Sequence, residues 1–147
     1  VKLRKGDMTS LLKGERSESA ASQWFEARGH QCVNVGQHHL MHDLEVEGYG
    51  RVQVKTCRKE RDCRPTVTVV KAVCSLAQGT TGARYPRGAF DWLACVYWLN
   101  DGPRVWLVRE ATLAAPTGLY LKDKYKIALS KAVLIWSAID EPESLVA

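Results

Sequence analysis

Asp43, Gln53 and Lys55 are the residues whose types and spacing could do chemistry together. Leu44 and Val46 alternate with Asp43, Glu45 and Glu47, and Val52 and Val54 alternate with Gln53 and Lys55. This period of two describes a pair of half-buried strands joined by a Gly48-Tyr49-Gly50 turn. Pairing Glu47 with Arg51 sets Glu45 opposite Gln53 and Asp43 opposite Lys55, all on one face, and a bulge would shift that register by one residue. Carboxylates, an amide and an ammonium then converge at the open end of the hairpin. Oxygen donors of this kind suit a hard divalent cation, magnesium with manganese as a substitute, and its chemistry would be phosphodiester hydrolysis. Asp43 offers the anionic ligand, while Gln53 and the backbone carbonyl of Val54 offer neutral ones. Lys55 stands ready to stabilise charge developing on phosphorus or to assist deprotonation of a water. Polar residues on a hairpin's outer face are more often merely solvated, so these three need support from elsewhere in the chain.

Glu18 supplies it. A helix is expected from about Thr9 to Arg28, with Thr9 or Ser10 as N-cap and Gly29 as the stop. At 100° per residue Leu11 and Phe25 fall within about 20° of Glu18, and Ala21 about 60° away, so the carboxylate lies inside the apolar face. It either reaches the site of Asp43 and Gln53 or pairs with a nearby Lys or Arg. Glu15, Arg16, Ser19, Gln23 and Glu26 face water. A basic loop follows Lys55, and its Arg58, Lys59, Arg61 and Arg64 are the first candidates for phosphate contacts. Arg84 and Arg87, flanking Tyr85, come next, and Lys122, Lys124, Lys126 and Lys131 would extend that surface or serve solubility.

The 147 residues suit one domain, 1–147, and the net charge of +5 with a pI near 9.0 favours an anionic partner such as nucleic acid. With no apolar run of about 20 residues and no signal-peptide core at Val1–Asp7, a soluble intracellular protein is expected. The five cysteines form no CxxC pair, and two lie in apolar runs, which favours buried free thiols over a disulfide framework. A zinc set of Cys57, Cys63, His38, His39 and His42 has irregular spacing.

Elsewhere, His30–Val35 reads as a strand before the hairpin and Thr66–Val70 as a strand beyond the basic loop. Ala72–Ala77 suggests a short helix or turn. Trp92–Leu99 and Val105–Val108 are apolar strands around the hairpin-turn residues Asn100-Asp101-Gly102-Pro103. Arg109–Ala114 is a short helical or turn segment, and the tail Glu141–Ala147 is expected to fray. Asp91, before the Trp92 strand, is a turn or pairing residue outside the site.

The order of a helix with an inward Glu18, a strand, Asp43 at a hairpin and then Gln53-Val54-Lys55 resembles the PD-(D/E)XK nuclease superfamily. Lys13-Gly14-Glu15-Arg16-Ser17-Glu18 with Ala21 and Gly29 is similar to the first helix of small Holliday junction resolvases. Val52-Gln53-Val54-Lys55-Thr56, followed by Phe90-Asp91-Trp92-Leu93-Ala94 and Arg104–Val108, resembles the branch holding group I intron-encoded homing endonucleases. The likeness spans Lys13 to Val108, with a recognisable core of about 10–110. It implies an α/β, restriction-endonuclease-like core, a mixed central β-sheet flanked by α-helices. It also implies Asp43 as metal ligand, Gln53 in the usual Glu/Asp position, Lys55 as catalytic lysine and Glu18 as helical acid. His42 stands where the motif has proline. The implied activity is a magnesium-dependent endonuclease on double-stranded DNA, of homing type. A Holliday junction resolvase is the alternative, and an inactive DNA-binding module the second. One active site per chain and two strands to cut imply a homodimer or homotetramer.

Overall fold

The computed structural model describes residues 5–36, 41–59, 71–78 and 82–128, with side chains over 14–36, 41–59, 72–78 and 82–126. Arg61, Arg64, Cys63, His38, His39, Lys131, the Thr66–Val70 strand and the tail lie outside the described residues.

Helix α1 (Lys5–Ala27) is followed by strands β1 (Cys32–Asn34), β2 (Leu44–Val46) and β3 (Gly50–Thr56). Next come β4 (Arg58–Lys59), β5 (Lys71–Ser75), β6 (Ala77–Gln78) and β7 (Ala83–Arg84). The apolar hairpin β8 (Trp92–Leu99) and β9 (Gly102–Arg109), a 3-10 turn over Glu110–Thr112, and β10 (Lys124–Ala128) complete the order. The main sheet runs β1-β2-β3-β8-β9, with β3 parallel to β8 and every other neighbour antiparallel. It is therefore the mixed sheet of an α/β fold. Its alternation divides the core in two. Val52, Val54, Ala94 and Val96 pack beneath Ala21 and Phe25 of α1, while Leu93, Cys95, Trp106 and Val108 face the opposite way, towards Cys57, Cys74, Tyr85 and Phe90. That second layer is not a helix. A small sheet ordered β10-β5-β4 lies beyond the main one, and α1 is the single α-helix among the described residues. It is too polar to cross a membrane.

Helix α1 stops at Gly29, whose φ of +85° is the left-handed turn that an L side chain resists. Gly29 N–H and His30 N–H return to the carbonyls of Glu26 and Phe25 at 2.9 and 3.1 Å. Its start differs from expectation, because the backbone is already helical at Lys5 and Thr9 and Ser10 lie within the helix rather than capping it. The buried stripe is Ser17, Ala21 and Phe25, with Glu18 at its edge and Glu15, Arg16, Ser19, Gln23 and Glu26 exposed.

The central hairpin pairs Leu44 with Val52, Glu45 with Arg51 and Val46 with Gly50. That is two residues away from the expected register. Asp43 comes level with Gln53 instead of Lys55, and because side chains alternate with period two, the shift leaves every residue on its face. The cause is at the turn. Gly50 belongs to β3, with φ +88°, and a Cβ there would lie 2.6 Å from Asp91 Oδ2. Asp91 uses that closeness to accept the Arg51 N–H at 2.8 Å and the Arg51 guanidinium at 3.3 Å, which fixes where β3 begins. Asp91 is thus a pairing residue.

Two further expectations fail for a shared reason. Ala72–Ala77 forms strand rather than helix, and Cys57 and Cys74 are joined by a disulfide rather than free. Arg58 pairs with Val73 and Lys59 with Ala72 across a long connection, so continuing the register sets Cys57 opposite Cys74, with Cα atoms 4.6 Å apart. This is the close spacing of an antiparallel pair. Cys95 is a buried free thiol and Cys32 a half-buried one.

Candidate functional site

Asp43 ends the connection into β2, and three backbone contacts hold it. Its N–H donates to Val52 O at 2.9 Å, its carbonyl accepts from Val35 N–H at 2.8 Å, and its Oδ2 accepts the Val54 N–H at 3.1 Å. The carboxylate is therefore fixed at the edge of β3 instead of swinging in solvent. Glu18 reaches it from the edge of the α1 stripe. Ser17, the neighbour of Glu18, hydrogen-bonds Thr56 Oγ1 at 2.6 Å and accepts from Trp98 Nε1 at 3.1 Å, pinning this turn of the helix over the ends of β3 and β8. Gly36 lies between the acids. A Cβ there would sit 3.4 Å from Asp43 Oδ1 and 3.5 Å from Glu18 Oε1.

Two carboxyls this close do not both ionise freely. Burial first, and the Asp43 charge second, raise the Glu18 pKa from its ordinary 4.5 to about 7. Burial also lifts Asp43, against the Val54 N–H and the Lys55 charge. The hydrogen bond between the two acids raises Glu18 and lowers Asp43. The pair therefore holds a proton more tightly than either carboxyl would alone.

Gln53 is buried, and its Nε2 donates to the Val54 carbonyl at 3.2 Å. Two of the expected neutral donors therefore touch one another beside Asp43. Lys55 is mostly buried, and its Nζ donates to Ala77 O at 2.8 Å while lying 5.2 Å from the Tyr85 ring. Burial pushes its pKa below the usual lysine range, and the Asp43 charge opposes that. Tyr85 moves the other way, its phenol pushed up by burial and then by Asp43. All four expected residues, Glu18, Asp43, Gln53 and Lys55, stand around the middle and C-terminal end of β3.

The donor set of Glu18, Asp43, Gln53 and the Val54 carbonyl consists of oxygens, which suits a hard divalent cation rather than a soft one. The shared proton strengthens the fit, because crowded carboxyls that retain a proton are relieved when a cation replaces it. The zinc set considered above is not assembled among the described residues. His42 is buried with its Nε2 3.2 Å from Glu45 Oε1, and Cys57 is bridged to Cys74.

Sequence reasoning missed three contributors. Asn34 donates to Glu18 Oε2 at 3.4 Å and accepts the Gly36 N–H at 3.0 Å, an Asx turn that brings β1 under the acids. The Asn34-Val35-Gly36 spacing was its one signal. Tyr85 was expected only with Arg84 and Arg87 as a phosphate contact, and the Ala77 carbonyl carried no signal, because both meet Lys55 only through the fold. The basic residues divide. Arg58 and Lys59 are exposed and share a groove with Arg16, whose guanidinium lies 4.4 Å from the Trp98 ring centre. Arg84 pairs with Asp123 at 2.7 Å. Arg87 turns inward to Glu110 and to the carbonyls of Ala111 and Leu113.

No protein-family model matches the chain, and no curated protein does. Among solved structures, the bacterial homing endonuclease I-Ssp6803I superposes with a TM-score of 0.53 at 15% identity, over 81% of this chain and 75% of that one. At that identity the likeness is one of fold: this chain has the α/β fold of an endonuclease.

Proposed function

We propose that the protein is a metal-dependent endonuclease that hydrolyses double-stranded DNA, of the homing type. The observation that carries the proposal is the proton-sharing Glu18–Asp43 pair, set beside a desolvated lysine on one strand. Raised acids beside a lowered lysine are the kind of environment that tunes groups for proton and charge chemistry. Asp43 and Glu18 would hold magnesium, or manganese in its place, with Gln53 and the Val54 carbonyl as neutral oxygens. The cation would supply polarisation of the scissile phosphate. Lys55 answers the negative charge that develops there, and its burial keeps that interaction from being screened by water. Arg58 and Lys59, with Arg16 across the groove, hold the flanking backbone. Each chain carries one such cluster, so cutting both strands calls for a homodimer or homotetramer.

A cleavage assay tests this with linear duplex and four-way junction DNA, in magnesium and with chelator, for wild type and Asp43→Ala. Duplex cleavage that needs magnesium and vanishes in the variant is expected. Strong preference for the junction would favour a resolvase, and binding without cleavage by the wild type would leave a DNA-binding module.

A further inference from the structure

Cys57 between β3 and β4, Cys74 on β5 and Cys95 on β8 meet at the corner where the chain leaves the main sheet for the small one. Cys57 follows β3 and donates its N–H to Val96 O on β8 at 2.8 Å. Cys95 is on β8, in register with Lys55, and Cys74 is on β5, opposite Cys57. The three sulfurs lie within 4.8 Å of one another, and all three residues are buried. A bridge needs two sulfurs, so packing of a disulfide does not account for the third. Thiolates around a tetrahedral zinc ion at Zn–S of about 2.3 Å stand roughly 3.8 Å apart, which is the scale of this cluster.

We propose that, once the Cys57–Cys74 bridge is reduced, Cys57, Cys74 and Cys95 form a three-thiolate site for a thiophilic divalent cation of the zinc class. The cluster then has two exclusive states. A dithiol reductant supplies two electrons and two protons to open the bridge and is itself oxidised to a disulfide. Three thiols then bind M²⁺ and release three protons, leaving a complex of charge −1. Sulfur donors select zinc-like cations, while the oxygens of Glu18 and Asp43 select magnesium, so the two sites sort their ions by donor type. The metal-free groups are neutral thiols, so metal–sulfur bonding has to outweigh the loss of three protons and the buried charge of −1. Lys55 lies two residues before Cys57, with its Nζ 5.2 Å from the ring of Tyr85, which belongs to the same buried core cluster as the three cysteines. Either state ties β3 to β5, directly ahead of the β6 carbonyl of Ala77 that holds Lys55.

The test uses the full chain, reduced with a dithiol, freed of reductant without air and titrated with Cd²⁺ and then Zn²⁺. Ultraviolet thiolate-to-metal charge transfer reports binding, and alkylation with mass spectrometry reports which cysteines are protected. One equivalent of Cd²⁺ is expected to protect Cys57, Cys74 and Cys95, to resist displacement by equimolar Zn²⁺, the harder of the two cations, and to withstand excess Mg²⁺. Cys95→Ser should weaken binding at least about 100-fold, the upper range seen for merely supporting groups, and Cys32→Ser should leave it unchanged. Three results would each overturn the site: a bridge that resists reduction in the folded protein, no cadmium binding, or wild-type protection that omits Cys95. The protection pattern is read on the wild type, so it stands even where a variant fails to fold.

Discussion

Glu18→Gln separates an acid held for a cation from an acid held for structure. Wild-type Glu18 has a folded pKa of about 7 against an ordinary 4.5, so folding is opposed wherever the side chain must ionise. Because the folded value is the higher one, the penalty is absent below about pH 4.5, grows through the interval and is complete above about pH 7. Taken whole, the shift is worth about 3 kcal/mol. Glu18 is only partly buried, so solvent screening reduces this to roughly 1–2 kcal/mol. Glutamine keeps an oxygen for the Asn34 donor and never ionises. In metal-free buffer at pH 8.5 the variant should therefore melt about 3 to 6 °C above wild type, and at pH 4.5 the two should coincide. Magnesium, which we propose the folded acid pair holds, should raise the wild type more than the variant. Differential scanning calorimetry at both pH values, with and without magnesium, reads all four conditions. Among the described residues Glu18 pairs with Asn34 and Asp43 and with no Lys or Arg. A variant destabilised by about 3 to 5 kcal/mol at every pH, regardless of magnesium, would mean a stranded buried cation and refute the reasoning.

Lys55→Ala should slow cleavage about 10²- to 10³-fold with duplex binding nearly unchanged, measured by single-turnover kinetics; a loss under roughly tenfold would reduce Lys55 to a phosphate contact. Replacing Arg58 and Lys59 by alanine should weaken target and non-target duplex alike and flatten the slope of log K against log salt by about 1.8, at about 0.9 per contact. Weakening confined to the target would mean that these side chains read bases. Gly50→Ala should cost roughly 2 to 4 kcal/mol in urea unfolding, because it adds left-handed strain and displaces the Asp91 carboxylate. Gly118→Ala, at φ +77° in open space, should cost only about 1 kcal/mol.

What the sequence made legible is what local periodicity controls. The alternation around Val52 and Val54, the helical angle of Glu18 and the Asn100–Pro103 turn each involve residues within one element or one hairpin. All three reappear in the fold. Faces outlasted register for the same reason, since a two-residue slip preserves them, and the slip itself came from Asp91, 40 residues from Arg51, gripping the start of β3. The Cys57–Cys74 bridge and the strand at Lys71–Ser75 were hidden because a short β4–β5 pairing across a long connection creates both. The inward turn of Arg87 was equally invisible, because its acceptors Glu110, Ala111 and Leu113 gather around it only once the Glu110–Thr112 turn has folded.

Glutamine at position 53 follows from the charge balance of this cavity. Its side chain is buried, and its amide N–H satisfies the Val54 carbonyl. A glutamate would have no proton to donate there at neutral pH, so two oxygens would face each other away from water. It would also place a third acid beside a pair that already retains a proton, raising the cost of ionising any of them. The neutral amide avoids both penalties and gives up one anionic ligand in exchange. Glu18 can restore that charge, because a cation that displaces its proton turns a neutral acid into a second carboxylate at the site. On the proposed reading, the negative charge of the cluster would be smaller before a cation binds and larger afterwards, which would let the metal-free protein tolerate acids it could not otherwise bury. Cation affinity should accordingly fall as pH drops through about 7, where the proton on Glu18 begins to compete.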